Sequence, residues 1–288
     1  MEVQSLSVHV PTGKCPNACK FCVSQMHPSP YENLIDGEGW DKQALHDHQY
    51  MRRLEFARDN GCNTVILTGD GEPLSNRRFL NAFAKLNWAM RSSFRWIEVQ
   101  TSGIFLDDNM LKFLAGTVGV STISLSLSAL DTLTNNVTNG IPSKLMFDVY
   151  DLCHKIKASG FNLRISLNMN DYFHIFTPVE IFERLEELEA DQVTFRKLYA
   201  IDSVSPQGAW VHQHEYVDWC ELGDYITQTG RPLERLPFGA MRYSVFGIST
   251  VVDNDCMNKE VKDTVKYLIL RPNCKLYTKW DDKGSLLF

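Results

Sequence analysis

Three thiols carry the first chemical signal in this chain. Cys15, Cys19 and Cys22 lie in the stretch Thr-Gly-Lys-Cys-Pro-Asn-Ala-Cys-Lys-Phe-Cys, a C-x3-C-x2-C run. Thiolates are soft ligands of the kind that iron–sulfur clusters and zinc select. A [4Fe–4S] cube is normally closed by four cysteines. Three at this spacing can hold three irons and leave the fourth open to a small molecule. Two other readings use the same residues. A structural zinc wants four ligands, often as two C-x2-C knuckles; His27 could be the fourth, but no second knuckle follows. A redox pair needs only two cysteines and leaves Cys15 without a purpose.

The elements that must position these thiols alternate between strand-like and helix-like, the pattern of βα units and a parallel sheet. Strands are predicted over residues 5–10, 63–68, 96–101, 120–127, 162–168 and 192–198. Helices are predicted over 41–60, 77–92, 107–114, 142–160 and 178–189. Asp41 can cap the first helix and Gly61 can stop it, and Pro142 and Pro178 open later ones. Six βα units in succession predict an α/β fold, a partial (βα)6 TIM-like barrel over residues 1–200. Chemistry on parallel barrels sits at the carboxyl ends of the strands, where the cysteines fall. Beyond Tyr199 the pattern changes to a helix over 212–230 and strands over 243–252 and 266–277, the last turning at Pro272-Asn273. Residues 201–288 are read as an α+β extension that covers the barrel opening and packs with it as one unit.

The cysteine spacing resembles the signature of the radical S-adenosylmethionine (SAM) superfamily, and its place after a first strand fits. The resemblance implies that the open iron is chelated by the amino and carboxylate groups of SAM. One electron then splits SAM into methionine and a 5′-deoxyadenosyl radical, which abstracts hydrogen from a substrate. It also implies that Phe21, before the third cysteine, lies against the adenine. After the second strand, Gly69-Asp70-Gly71-Glu72-Pro73 is similar to the family's Gly-Gly-Glu segment. Glycine lets the backbone approach the methionine end closely, and Glu72 would accept a hydrogen bond from the SAM amine. A plain βα turn would use the same residue types, and Asp70 departs from the commoner glycine. Thr101 and Ser102, ending the third strand, would meet the ribose. Ser126 would meet the ribose or the methionine carboxylate, and Ser128 stands where relatives carry an acidic residue. Arg164, Ser166 and Asn168 share one face of the fifth strand. Arg164 would pair with the SAM carboxylate or form an ordinary surface pair. Leu198 and Tyr199, at the end of the sixth strand, would lie near the adenine, and Tyr199 equally near the substrate.

Substrate-facing candidates are His27, Tyr31 and Asn33 on the cluster loop, Asn168, Asn170 and Tyr199 at strand ends, and Arg242, Tyr243, Arg271, Tyr277 and Trp280 in the extension. The catalytic group acting on substrate is not assigned.

Composition narrows the partners. With 288 residues and 44% apolar content a sizeable core is available. No run of 18 apolar residues suggests a membrane span. The start, Met-Glu-Val-Gln-Ser, lacks a signal-peptide pattern, so a cytoplasmic location is expected. Thiols stay reduced there, and Cys62, Cys153, Cys220, Cys256 and Cys274 are read as free. Net charge is −6, and the basic pairs Arg52-Arg53 and Arg77-Arg78 read as solvated helix faces. That argues against nucleic acid and for a small-molecule substrate. The remaining cysteines are too few for extra clusters and show no pair suited to carrying a methyl group. The expectation is one [4Fe–4S] cluster, SAM, and a one-electron donor such as flavodoxin or ferredoxin. The N-terminal stretch and length also resemble the queuine lyases, which cut a carbon–nitrogen bond of a free deazaguanine base in queuosine salvage. The alternatives are another radical SAM reaction (dehydrogenation, epimerisation or glycyl-radical activation) and a zinc-bearing, non-enzymatic α/β module.

Overall fold

Polar and apolar residues alternate along the strands, as in Ile123-Ser124-Leu125-Ser126-Leu127, and a strand sends alternate side chains to opposite faces. A computed structural model describes residues 2–26, 47–200, 202–236, 239–253, 264–280 and 282–287. Its strands are β1 (Glu2–His9), β2 (Thr64–Thr68), β3 (Trp96–Thr101), β4 (Thr122–Leu127), β5 (Asn162–Met169), β6 (Gln192–Lys197), β7 (Arg231–Arg235), β8 (Met241–Val245), β9 (Ile248–Asp253), β10 (Thr264–Leu270) and β11 (Leu276–Tyr277). Its helices are α1 (Val23–Met26), α2 (Asp47–Asp59), α3 (Arg77–Ala89), α4 (Asp108–Phe113), α5 (Thr132–Thr138), α6 (Val149–Ala158), α7 (Pro178–Glu187), α8 (Pro206–Gln213) and α9 (Trp219–Thr229).

All strands belong to one sheet, ordered β11-β10-β1-β2-β3-β4-β5-β6-β9-β8-β7. From β10 across to β9 every neighbouring pair is parallel. Antiparallel pairs occur at the two ends, β11 on β10 and β7–β8 on β9. The sheet does not close, so this is the partial-barrel α/β architecture. Strands from beyond residue 200 enter it on both sides of the six-strand run.

One face is apolar. Leu6, Val8, Val65, Leu67, Ile123, Leu125, Ile165, Leu167 and Phe195 are buried in one core with Leu54, Phe79, Phe83, Ile156, Ile181 and Phe182 of the helices. Each such side chain contributes about 1.5–3 kcal/mol on burial. The opposite face carries Ser7, Glu98, Gln100, Ser124, Ser126, Arg164, Ser166, Asn168, Gln192 and Thr194, which line a cavity of about 680 Å³. A closed (βα)8 barrel fills this space with branched apolar side chains; here the residues facing it are polar.

The local elements differ from expectation at several points, among them β7, where no strand was expected. The helix expected over 142–160 is a short turn, Ser143–Leu145, followed by α6, because Asp148 caps a new start by accepting from the Asp151 amide. Helix α5 was not expected; its Thr- and Asn-rich sequence has low propensity, and Asp131 caps it through the Thr134 amide. The helix expected over 212–230 is broken into α8 and α9, with Glu215 between them bridging to Asn170. The strand expected over 243–252 is the β8–β9 hairpin, since Phe246 and Gly247 both take positive φ (49° and 85°), as tight hairpin turns require. Residues 41–46 of the first expected helix lie outside the described residues.

Candidate active site

Cys15, Cys19 and Cys22 sit half-buried on the loop leaving β1, at the carboxyl end of the parallel strands. Two neighbours hold that loop. On one side the Val10 amide donates to Thr68 O (2.7 Å). On the other, the Ala18 and Lys20 amides donate to Gly140 O (3.1 Å) and Thr138 O (3.3 Å), and the Cys19 thiol to Asn139 O (3.4 Å). Gly140 has φ +54°, and a Cβ there would lie 2.4 Å from Ala18 O, so only glycine permits this approach. Cys22 Sγ lies 3.1 Å from Ser24 Oγ, which donates to Asp70 O (2.8 Å).

Burial pushes the Cys15 thiol up, and pushes Cys19 up to about 12, where the neighbouring Cys22 and Cys15 add to the shift. Thiols raised in this way are readily deprotonated only with a cation beside them. An all-sulfur donor set suits an iron–sulfur cluster. A cube asks one thiolate of each of three irons, and the three cysteines of this loop can supply them.

Gly69, Asp70, Gly71 and Glu72 line the cavity beside the cysteines. A Cβ on Gly71 would meet Thr12 Oγ1 at 2.4 Å and Cys15 Cβ at 3.6 Å, so glycine lets the segment seat against the cysteine loop. Glu72 is buried, and burial raises its carboxyl despite four hydrogen bonds. Oε1 accepts from Thr101 Oγ1 (2.7 Å) and the Leu74 amide (3.2 Å). Oε2 accepts from the Ser102 amide (2.9 Å) and hydroxyl (2.7 Å). A carboxylate offers about four acceptor positions, and these are taken. Glu72 thus ties the end of β2 to the end of β3, and the hydroxyls of Thr101 and Ser102 are turned to it.

Asp70 is not a bystander. Its carboxylate meets buried His9 Nε2 at 3.0 Å and buried Arg271 at 3.6 Å. Burial alone would raise its carboxyl, but the hydrogen bond and charge of His9, with Arg271, hold it below the ordinary value. Arg271 also covers the Trp280 ring at 5.3 Å and donates to its carbonyl (2.9 Å). The pairing links β1, β2 and the end of β10, and nothing local in the sequence announces it.

Ser126 and Asn168 line the cavity and pair with each other (Nδ2 to Oγ, 3.0 Å). Ser128 is buried behind them. Its hydroxyl donates to Asn139 Oδ1 (2.9 Å), and its carbonyl accepts from Asn170 Nδ2 (2.8 Å). Asn139 Nδ2 donates to Asn135 Oδ1 (2.9 Å). This chain of amides runs from the strand ends to the carbonyl that receives the Cys19 thiol. Sequence reasoning missed Asn135 and Asn139; their Asp-capped Asn-rich helix after β4 was the available signal. Arg164 is neither a surface pair nor beside the cysteines. It points into the barrel lower down β5, bonded to Glu98 and, through Nε and Nη2, to Gln192 Oε1 (2.8 and 2.6 Å).

Phe21 lines the cavity with its ring 5.9 Å from that of Trp210 on α8. Leu198, Tyr199, Arg242, Arg271 and Trp280 line it too. Arg242 pairs with Glu234 (2.7 Å). Tyr243, next along β8, packs on the apolar core and is not among the lining residues. His27, Tyr31 and Asn33 lie outside the described residues.

No helix among the described residues is long and apolar enough to cross a membrane. No curated protein matches the chain. Two solved structures resemble it in fold. Native anSMEcpe with bound AdoMet is 15% identical with a TM-score of 0.51, over 68% of this chain and 52% of that one. Coproporphyrinogen III oxidase (HemN) from Escherichia coli, a radical SAM enzyme, is 14% identical with a TM-score of 0.54, over 94% of this chain and 63% of that one. The chain thus spans between half and two thirds of their lengths. The model of the radical SAM superfamily matches residues 9–170, from the end of β1 through the cysteines and Gly-Asp-Gly-Glu to the end of β5. A match over that span, on an open parallel barrel whose mouth carries three cysteines, places this chain in the radical SAM superfamily of enzymes.

Proposed function

We propose that this enzyme cleaves SAM at a single [4Fe–4S] cluster and removes hydrogen from a small polar molecule held inside the barrel. The observation that carries this is the polar cavity of about 680 Å³ opening beneath the three cysteines, large enough for SAM and a compact substrate. When bound, the reduced cluster supplies the electron that splits SAM to methionine and a 5′-deoxyadenosyl radical. Cys15, Cys19 and Cys22 would hold three irons. Backbone carbonyls of residues 69–72 would receive the SAM amine, because the Glu72 carboxylate is filled by Thr101, Ser102 and Leu74. Ser126 and Asn168 would orient the ribose or carboxylate end, with Phe21 and Leu198 against the adenine. Asn139 and Gly140 keep the cysteine loop seated. A flavodoxin or ferredoxin would deliver the electron.

The more specific reading is a carbon–nitrogen lyase acting on free queuine. Its support is the N-terminal resemblance and a cavity that offers both acceptors and donors to a flat polar base. Anaerobic enzyme with SAM, a one-electron reductant and queuine should yield 5′-deoxyadenosine and 7-aminomethyl-7-deazaguanine. Formation of 5′-deoxyadenosine without the base product would remove queuine and keep the radical SAM reading; formation of neither would remove both.

A further inference from the structure

We infer that Glu98 and Ser166 form the anchor for the substrate's polar end, and that this end is a hydrogen-bond donor group of the amidine type. The inference rests on the radical SAM reading above and names what the same cavity selects. Glu98 is 3% exposed and Ser166 2% exposed, and both line the cavity. Each keeps one polar atom, Glu98 Oε1 and Ser166 Oγ, without a hydrogen-bond partner among the described residues. A buried acceptor left unpaired destabilises the fold, and each such exception calls for an explanation.

The surroundings fix which oxygen is spare. Arg164 binds Glu98 Oε2 and, with two further donors, Gln192. That clamp holds the carboxyl group stationary while leaving Oε1 for something else. Gln100 and Ser124 stand in register with Arg164 across β3, β4 and β5. Ser166 lies two residues further along β5, toward the mouth. At Glu98 the cavity offers a carboxylate acceptor, a hydroxyl and amides, and the adjacent cation, Arg164, is committed to that carboxylate and to Gln192; the other lining cations among the described residues, Arg196, Lys197, Arg242, Lys266 and Arg271, stand on β6 and in the extension. This end of the cavity suits an N–H-bearing edge, such as an amino group on a ring C=N beside a ring N–H.

Position agrees with a substrate that reaches upward. Thr101 lies three residue steps beyond Glu98 on β3, which at about 3.3 Å per residue is roughly 10 Å. A bicyclic base anchored at Glu98 would thus present its far substituent near the cysteine mouth.

The test uses cluster-loaded enzyme with SAM under anaerobic conditions, and equilibrium dialysis of 7-aminomethyl-7-deazaguanine, guanine and hypoxanthine. Guanine and the deazaguanine carry the amino group beside the ring N–H, and hypoxanthine lacks the amino group. Wild type should retain the first two more tightly than hypoxanthine. Glu98→Gln should weaken them roughly ten- to a hundred-fold, the worth of a hydrogen bond to a charged group, and Ser166→Ala by less. Both variants should keep iron content and the change in cluster spectrum on adding SAM. Equal retention of the three bases by wild type, or unchanged affinity in Glu98→Gln with its cluster intact, overturns the anchor. If Glu98→Gln loses its cluster, Ser166→Ala decides: unchanged affinity there also overturns it. Wild type that makes 5′-deoxyadenosine yet binds no base would sink the anchor alone, whereas no 5′-deoxyadenosine at all would sink the underlying reading.

Discussion

Replacing Glu72 with alanine tests whether the segment after β2 is held by its carboxylate. In the wild type, four donors converge on it: the Thr101 hydroxyl, the Ser102 hydroxyl and amide, and the Leu74 amide. The two hydroxyls can turn to other acceptors after truncation, but the two amides cannot. Leaving each amide without an acceptor costs about 1–3 kcal/mol. Relief from burying a carboxylate returns part of that, because burial disfavours its charged form. The net expectation is about 3 kcal/mol of lost stability, read by urea unfolding under anaerobic conditions. The catalytic effect is larger, since residues 69–72 lie beside the cysteine loop and a shift of about 1 Å can cost on the order of 10²-fold in rate. The yield of 5′-deoxyadenosine per minute, with iron content held equal, measures it. Thr101→Val removes one donor and should cost only about 1 kcal/mol. Glu72→Ala within about 0.5 kcal/mol of wild type, with undiminished 5′-deoxyadenosine, would refute the tether.

Gly140→Ala should lower stability by about 1–3 kcal/mol and reduce iron retained per chain after desalting, because its Cβ would lie 2.4 Å from Ala18 O; full iron retention would count against the fit of α5 on the loop. Asn139→Ala removes the side chain that accepts from Ser128 and donates to Asn135, so it should cost about 1–3 kcal/mol of stability and lower iron retention, because the backbone carbonyl that receives the Cys19 thiol loses its support; thermal unfolding and an iron assay read the two effects, and full iron retention would count against the link. Asp70 and Glu72 should respond to pH with opposite sign. The Asp70 carboxyl is lowered from 3.8, so its stabilising contribution is present above that pH and lost as pH falls through the lowered value. Glu72 is raised from 4.5, so its contribution is present below that pH and lost as pH rises through the raised value. Unfolding midpoints should show Asp70→Asn destabilised near neutral pH with the gap closing in acid, and the wild-type advantage over Glu72→Gln shrinking as pH rises past 4.5.

The cysteine spacing, the Gly-Asp-Gly-Glu segment and the strand alternation were all legible because each is a local pattern. The period-2 runs located β1 to β6, and the motifs fell at their carboxyl ends as parallel topology requires. What the sequence hid depends on contacts between distant segments. Arg271 meets Asp70 only because β10 pairs beside β1, and no local signal predicts that register. Glu72 is legible as a polar residue after β2, whereas its donors, Thr101 and Ser102 at the end of β3 and the Leu74 amide, are not. Arg164 was legible as an inward residue of β5, whereas its partners Glu98 and Gln192 come from two other strands. Helix α5 escaped notice because threonine and asparagine are poor helix formers, although it carries the residues that seat the cysteine loop. The β8–β9 turn escaped because an aromatic residue, Phe246, takes a positive φ.

In the function proposed above, Cys15, Cys19 and Cys22 hold a cluster whose open iron receives SAM. Electron paramagnetic resonance of the anaerobically reconstituted, dithionite-reduced protein, before and after SAM, tests it most directly. The expected result is a [4Fe–4S]⁺ signal that changes on adding SAM, with 5′-deoxyadenosine and methionine in the quenched sample. Loss of both is expected in Cys19→Ala. A colourless protein with stoichiometric zinc, or a cluster signal indifferent to SAM, would contradict that function.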